Sequence, residues 1–205
     1  MPGRPPDQTH EQAALRLVRR RGLVHTRDIA AAGIPTVVLT RLVRRGRLAR
    51  VARGVYSLPG QPGGALRSLA EVALRAPRGV VCLLSALRVH EIGTQAPFEV
   101  WLALPAGVAV PRLESPAIRV VRMSGDSLTQ GIQRVDVDGV QVPVYDAAKT
   151  IADCFKFRSK IGLDVALEAL REALNEGIVT VEAVWRYARI NSVANVMRPY
   201  LEATT

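Results

Sequence analysis

Between residues 35 and 45, Pro35, Val38, Leu39, Leu42 and Val43 recur at helical spacing, while Thr36, Val37, Thr40, Arg41, Arg44 and Arg45 cover the opposite side. The period predicts a helix over 35–45. Proline suits its first position, where a missing N–H costs nothing, and Gly46 suits its end. Residues 48–51 and 55–58 then read as two short strands around Ala52-Arg53-Gly54. Upstream, Thr9 and Gln12 have capping-box spacing and open a helix to about Arg21, with Ala14, Leu15, Leu17 and Val18 inward and Arg16, Arg19 and Arg20 outward. Gly22 stops it. Leu23 and Val24 suit a short strand, Thr26 caps a helix over 27–32, and Gly33-Ile34-Pro35 makes the turn into the next. Three helices followed by a basic hairpin are the outline of a winged helix-turn-helix.

The pattern then breaks. Pro59-Gly60-Gln61-Pro62-Gly63-Gly64 can continue neither a helix nor a central strand, so residues 59–64 read as a linker between a domain over 1–58 and another over 65–205. In the second, residues 66–74 read as a helix, and the apolar run 80–89 (VVCLLSALRV) as a buried one too short to span a bilayer. Residues 98–104 and 118–123 read as strands. Asp138-Gly139 joins two more, 133–137 and 140–144, into a hairpin whose Pro143 places it near a sheet edge. Asp146 caps a helix through Phe157, and amphipathic helices follow over 163–174, 181–189 and 193–201, with Pro199 expected to bend or shorten the last. The expected fold class is α+β: a winged helix-turn-helix, then a mixed domain of several helices and a small, mainly antiparallel sheet.

Charge sharpens this division. The net charge is +10, and residues 1–53 hold twelve arginines against Asp7, Glu11 and Asp28, which gives 12 − 3 = +9 and leaves +1 for the remainder. A polyanion partner for the first segment accounts for this better than a genome that favours arginine, which would spread it along the chain. The polar arm over 1–8, with Arg4, reads as a tail. No apolar segment backs the charge at the N-terminus and no run approaches a membrane span, so a soluble, cytoplasmic protein is expected. Cys82 and Cys154 lie in apolar patterns and read as reduced core residues.

The exposed side of the 35–45 helix sets the candidate chemistry. Thr36, Val37, Thr40 and Arg41 occupy its early turns, the part that points at base edges in the major groove. Arg44, Arg45 and Arg47 suit phosphates on one flank, and Arg50 and Arg53 suit phosphates or the adjacent minor groove from the wing. For any one arginine a solvated surface charge is an equal reading; the set as a whole favours DNA. Lys149, Lys156, Arg158 and Lys160 cluster within twelve residues and include all three lysines. They form a candidate second anion- or partner-binding surface, against which stands a polar helix face offset by Asp153. Catalysis finds little support. His10, His25 and His90 lack metal-ligand spacing with one another or with the cysteines, and His90 beside Glu91 reads as a capping or packing residue. Ser85 has no nearby base, the strand 98–104 lacks a nuclease lysine, and no glycine-rich phosphate loop occurs. No enzyme activity, metal or cofactor is expected.

The segments RLARVARGVYSLPG, PRGVVCLLSALRVHEIGTQAPFEVWLALP and VYDAAKTIADCFKFRSKIGLDVALEALREAL together resemble the AbiEi antitoxins of type IV toxin–antitoxin systems, from about Glu11 to Leu174. The resemblance implies an N-terminal domain that binds and represses its own promoter, at inverted repeats. It also implies a C-terminal domain that neutralises a toxin of the nucleotidyltransferase class. Two other readings stay open: a stand-alone winged-helix regulator with a ligand-sensing or dimerisation domain, and a nuclease with a DNA-targeting wing.

Overall fold

The computed structural model describes residues 6–60, 66–113 and 115–202, so residues 1–5 of the expected tail and 61–64 of the expected linker lie outside the described residues. The chain divides into two compact units. The first comprises Met1–Arg75 with Asp136–Val140, and the second Ala76–Val135 with Gln141–Thr205. The first unit thus extends past the expected boundary at residue 58 and takes in one further helix.

In the first unit, α1 (Pro6–Arg21) leads to β1 (Leu23–His25), α2 (Thr26–Ala31) and α3 (Val37–Arg44). The hairpin β2 (Ala49–Ala52) and β3 (Val55–Ser57) follows, then α4 (Arg67–Arg75). The three strands form one antiparallel sheet in the order β1-β3-β2. Ala14, Leu15 and Val18 from α1 close over Val38, Leu39 and Leu42 from α3, with Ile29, Ile34 and Leu48 completing the core. The members of this core from α1 and α3 belong to the apolar stripes that the period picks out.

Helix starts depart from expectation in three places. α1 begins at Pro6, ahead of the Thr9–Gln12 pair, because proline is tolerated in a first turn whose amides need no partner. α2 takes His25 as its N-cap, with the His25 N–H donating to Asp28 Oδ2 at 2.9 Å, and Thr26 is already helical. α3 begins at Val37, after the Thr36 N-cap, so Pro35 lies just outside it.

The second unit holds a five-stranded sheet in the order β6-β5-β4-β8-β7. Its strands are β4 (Val80–Val81), β5 (Val100–Pro105), β6 (Ile118–Met123), β7 (Ile132–Val137) and β8 (Val140–Tyr145). The hairpin turn bears out Asp138-Gly139, both with positive φ, 53° and 79°. The sheet is mixed, not mainly antiparallel: β4 pairs with β5 antiparallel, but with β8 parallel, and β5 pairs with β6 parallel. Part of the difference lies in the run 80–89, which is not one helix. Its first two residues are the central strand β4, Cys82 caps, and only Leu83–Val89 is helical (α5). An uninterrupted apolar run looks alike in a buried strand and a buried helix, so periodicity cannot divide it.

The remaining helices are α6 (Asp126–Thr129), α7 (Ala147–Lys156), α8 (Arg158–Ile161), α9 (Leu163–Asn175), α10 (Val181–Ile190) and α11 (Ala194–Glu202). Asp146 caps α7 as expected, accepting from the Lys149 N–H at 2.8 Å. Pro199 does not end α11, which runs on to Glu202. Helices α5, α7, α9 and α10 share one core with Trp101 and Met123 of the sheet. Cys82 and Cys154 are free thiols inside it. Among the described residues no helix is long and apolar enough to cross a membrane.

Candidate nucleic-acid interface

Two like-built helix ends fix α3. After α2, Gly33 adopts φ 70°, and its N–H and that of Ile34 donate back to Ala30 and Ile29 at 3.0 and 3.1 Å. After α3, Gly46 adopts φ 66°, and its N–H and that of Arg47 reach Val43 and Leu42 at 2.9 and 2.8 Å. Both are the double closure that a left-handed residue permits at a helix end, and glycine takes that conformation without a Cβ penalty. The first turns the chain sharply into α3. The second sends it directly into the wing.

The wing is held as well. Gly54 has φ 73°, and its carbonyl accepts from the Thr26 N–H at 2.8 Å and from Thr26 Oγ1 at 3.2 Å, tying the turn to the start of α2. A Cβ at Gly54 would lie 3.2 Å from that hydroxyl. A register shift between Arg50 and Ala52 adds local twist to β2. Arg53 at the turn is therefore carried on a fixed loop.

Most of the candidate residues lie at the surface of α3 and the wing. Thr36, Val37, Thr40, Arg44, Arg45, Arg47, Arg50 and Arg53 are all exposed. Val37 is 58% exposed, a large apolar side chain left out of the core at the front of the helix, and a contact for a thymine methyl is one use for it. Arg41 differs: it is half-buried. Glu11 of α1 lies beneath it with 16% of its side chain exposed, its Oε1 3.8 Å from Arg41 Nη1. The same carboxylate accepts from Arg45 Nη1 at 2.9 and 3.0 Å through its two oxygens. Residues 11 and 45 stand far apart in sequence, and spacing rules see only neighbours, so this contact leaves no local signal. Arg16, Arg19 and Arg20 lie exposed on α1.

The lysine cluster does not lie on one surface, because Lys149 is turned inward. Lys149 is fully buried, with Nζ 2.5 and 2.6 Å from the oxygens of Asp153 and 4.2 Å from the Tyr145 ring centroid. Asn191 donates to the same carboxylate at 2.6 Å. Ser127 Oγ donates to Asn191 Oδ1 at 2.8 Å and accepts from Lys156 Nζ at 3.0 Å. The chain of bonds therefore runs inward from Lys156 to a closed ion pair. Burial pushes the Asp153 carboxyl up, while Lys149 and the hydrogen bonds oppose it; burial likewise pulls Lys156 down, against Asp153. Arg158 Nη1 donates to the Phe155 carbonyl at 2.9 Å, at the end of α7, and Lys160 is exposed. Lys149 drops out of the expected anion-binding face because its side of α7 is enclosed by other helices, where a cation needs a buried counter-charge; Lys156 and Arg158 stay half-exposed.

Elsewhere in the second unit, a polar cleft is lined by His90, Asp146, Arg186 and Tyr187 among others. Arg186 Nη2 donates to Tyr187 Oη at 2.9 Å, which donates to Asp146 Oδ2 at 2.7 Å. His90 Nε2 lies 2.7 Å from the Tyr145 carbonyl, which agrees with a packing role.

Against known proteins, residues 12–59 match the family described as "Transcriptional regulator, AbiEi antitoxin". The helix-turn-helix and its wing are therefore similar to the transcriptional-regulator domain of the AbiEi antitoxins, in agreement with the sequence resemblance. Over the longer span the fold is similar to that of the RV2827C protein from Mycobacterium tuberculosis, known from a crystal structure. The TM-score is 0.56, with 15% identity, across 89% of this chain and 71% of that one. At that identity the likeness establishes a common α+β fold and nothing finer. No curated protein matches the chain.

Proposed function

We propose that the chain is an antitoxin and transcriptional autorepressor, acting in the cytoplasm. Its first unit binds operator DNA in its own promoter, at inverted repeats. Its second unit neutralises a cognate toxin of the nucleotidyltransferase class. The observation that carries the DNA half is the joint exposure of Arg44, Arg45, Arg47, Arg50 and Arg53 beside Thr36, Val37 and Thr40, on a helix and wing locked to one core. The match over residues 12–59 supports a regulator role independently of that geometry. The toxin half rests on the same family likeness and on a second unit with its own core.

In this reading α3 lies in the major groove with Thr36, Val37, Thr40 and Arg41 toward base edges. Arg44, Arg45 and Arg47 grip one strand, and the wing brings Arg50 and Arg53 to phosphates or the neighbouring minor groove. The roles separate by mutation. Arg41→Ala relaxes sequence preference, narrowing the gap between operator and scrambled DNA by about 1–3 kcal/mol, the discrimination expected of one bidentate base contact. Arg53→Ala weakens both DNAs alike and lowers the salt slope by about one. Anisotropy titrations on both fragments check this, and equal losses for Arg41→Ala would remove its base-reading role.

The toxin half is checked by growth. Co-expression of the full chain with the nucleotidyltransferase-like gene beside its own should restore growth. The variant carrying Arg44→Ala, Arg47→Ala, Arg50→Ala and Arg53→Ala should restore it equally when both are driven from foreign promoters. Rescue that disappears with the four arginines ties neutralisation to DNA binding; no rescue by either chain leaves a stand-alone regulator.

A further inference from the structure

We propose that Glu11 is a specificity-determining residue: its carboxylate holds Arg45 back from phosphates, and more loosely Arg41 back from base edges, until α3 is seated on the correct sequence. The inference rests on the DNA-binding reading above and deepens it.

Residues 1–53 carry twelve arginines and three acids. Among the described residues Asp28 is occupied elsewhere, accepting from the His25 N–H and pairing with Arg21 at 3.4 Å. Among the described residues, Glu11 is a carboxylate set against α3. It is mostly covered, with 16% of its side chain exposed, so its charge is less screened by water than that of a surface glutamate. Both its oxygens engage Arg45 Nη1, and Oε1 also faces Arg41 Nη1. Arg45 itself is 59% exposed, so the guanidinium is within reach of solvent and of any polyanion laid along α3.

A phosphate that takes the Nη1 donors of Arg45 must therefore displace a carboxylate. On arbitrary DNA the helix docks loosely, base contacts are missing, and the exchange gains little. On the operator, contacts from Thr36, Val37 and Thr40 bring the backbone close enough to complete it. The pair thus lowers affinity for all DNA, but lowers it less where the bases match. That is discrimination through a repulsive and competing element, not through an added attraction.

The full-length chain with Glu11→Gln, which keeps shape and hydrogen bonding while removing the charge, tests this. The probes are its own promoter fragment and a scrambled fragment of equal length and composition, titrated over a salt series. The expected result is several-fold tighter binding to scrambled DNA, with a salt slope steeper by about one as a further phosphate contact forms. Promoter binding changes less, so the ratio between the two falls. Arg45→Ala in the parent chain should cost more on promoter than on scrambled DNA, and in the Arg45→Ala background most of the effect of Glu11→Gln should vanish. Unchanged or weaker scrambled binding by Glu11→Gln, or a full effect without Arg45, overturns the proposal while leaving DNA binding intact. A parent chain that binds neither fragment overturns the DNA reading, and this inference with it. If Glu11→Gln alters the circular dichroism or melting, the Arg45→Ala comparison on the two DNAs decides the matter: equal losses overturn the proposal.

Discussion

Lys149→Met should destabilise the second unit by about 3–5 kcal/mol, the cost of leaving one member of a buried ion pair uncompensated. The Asp153 carboxylate would then lie inside an apolar core with Asn191 as its remaining side-chain donor. Burial already pushes its proton affinity up; without the ammonium it would be protonated or drag water inward. The two positions are one helical turn apart and both fully buried, so they act as a unit. Replacing both with apolar residues, Lys149→Met with Asp153→Leu, should recover much of the loss. Recovery will be incomplete, because Asn191 and Ser127 lose their anchor. Urea unfolding, followed by tryptophan fluorescence from Trp101 and Trp185, measures both changes. A Lys149→Met chain as stable as the parent would mean that the pair is not closed as described.

The second large effect concerns the wing and the end of α3. Removing Arg44, Arg47, Arg50 and Arg53 together should flatten the salt dependence of DNA binding by about three to four units, near 0.9 for each phosphate no longer neutralised. None of the four makes a described ion pair with a carboxylate, and all are exposed, so the fold should not notice. Surface substitutions of this kind stay within about 0.5 kcal/mol each. The variant should therefore melt with the parent chain, yet bind promoter DNA weakly at every salt concentration. Weaker binding with an unchanged slope would place the phosphate contacts on other residues, with Arg16, Arg19 and Arg20 of α1 next in line.

The helix, its ends and the hairpin turns are legible in the sequence because their signals are local. Val38, Leu39 and Leu42 recur at helical spacing, Gly33 and Gly46 stand where the chain turns left-handed, and Asp138-Gly139 makes its hairpin within four residues. What the sequence hides is non-local. β4 is only Val80 and Val81, and it becomes a strand because β5 and β8 flank it, a fact no window of that length contains. Lys149 reads as surface because charge ordinarily marks the wet face. Asp153 at i+4 hints at pairing, but its other partner, Asn191, lies 38 residues away. Glu11 is the same lesson at the functional surface: its role depends on α1 crossing α3, not on any motif. The extra helix α4 falls in the first unit for a similar reason, since composition marks where the chain can bend but not what it then packs against.

The measurement that bears most directly on the whole account is a salt titration of the full-length chain against its own promoter fragment and a scrambled one. The account predicts tighter binding to the promoter at every concentration, with log affinity falling linearly and steeply as salt rises, as several displaced counterions require. Indifference to both fragments at about 50 mM salt, where phosphate contacts are strongest, would contradict it.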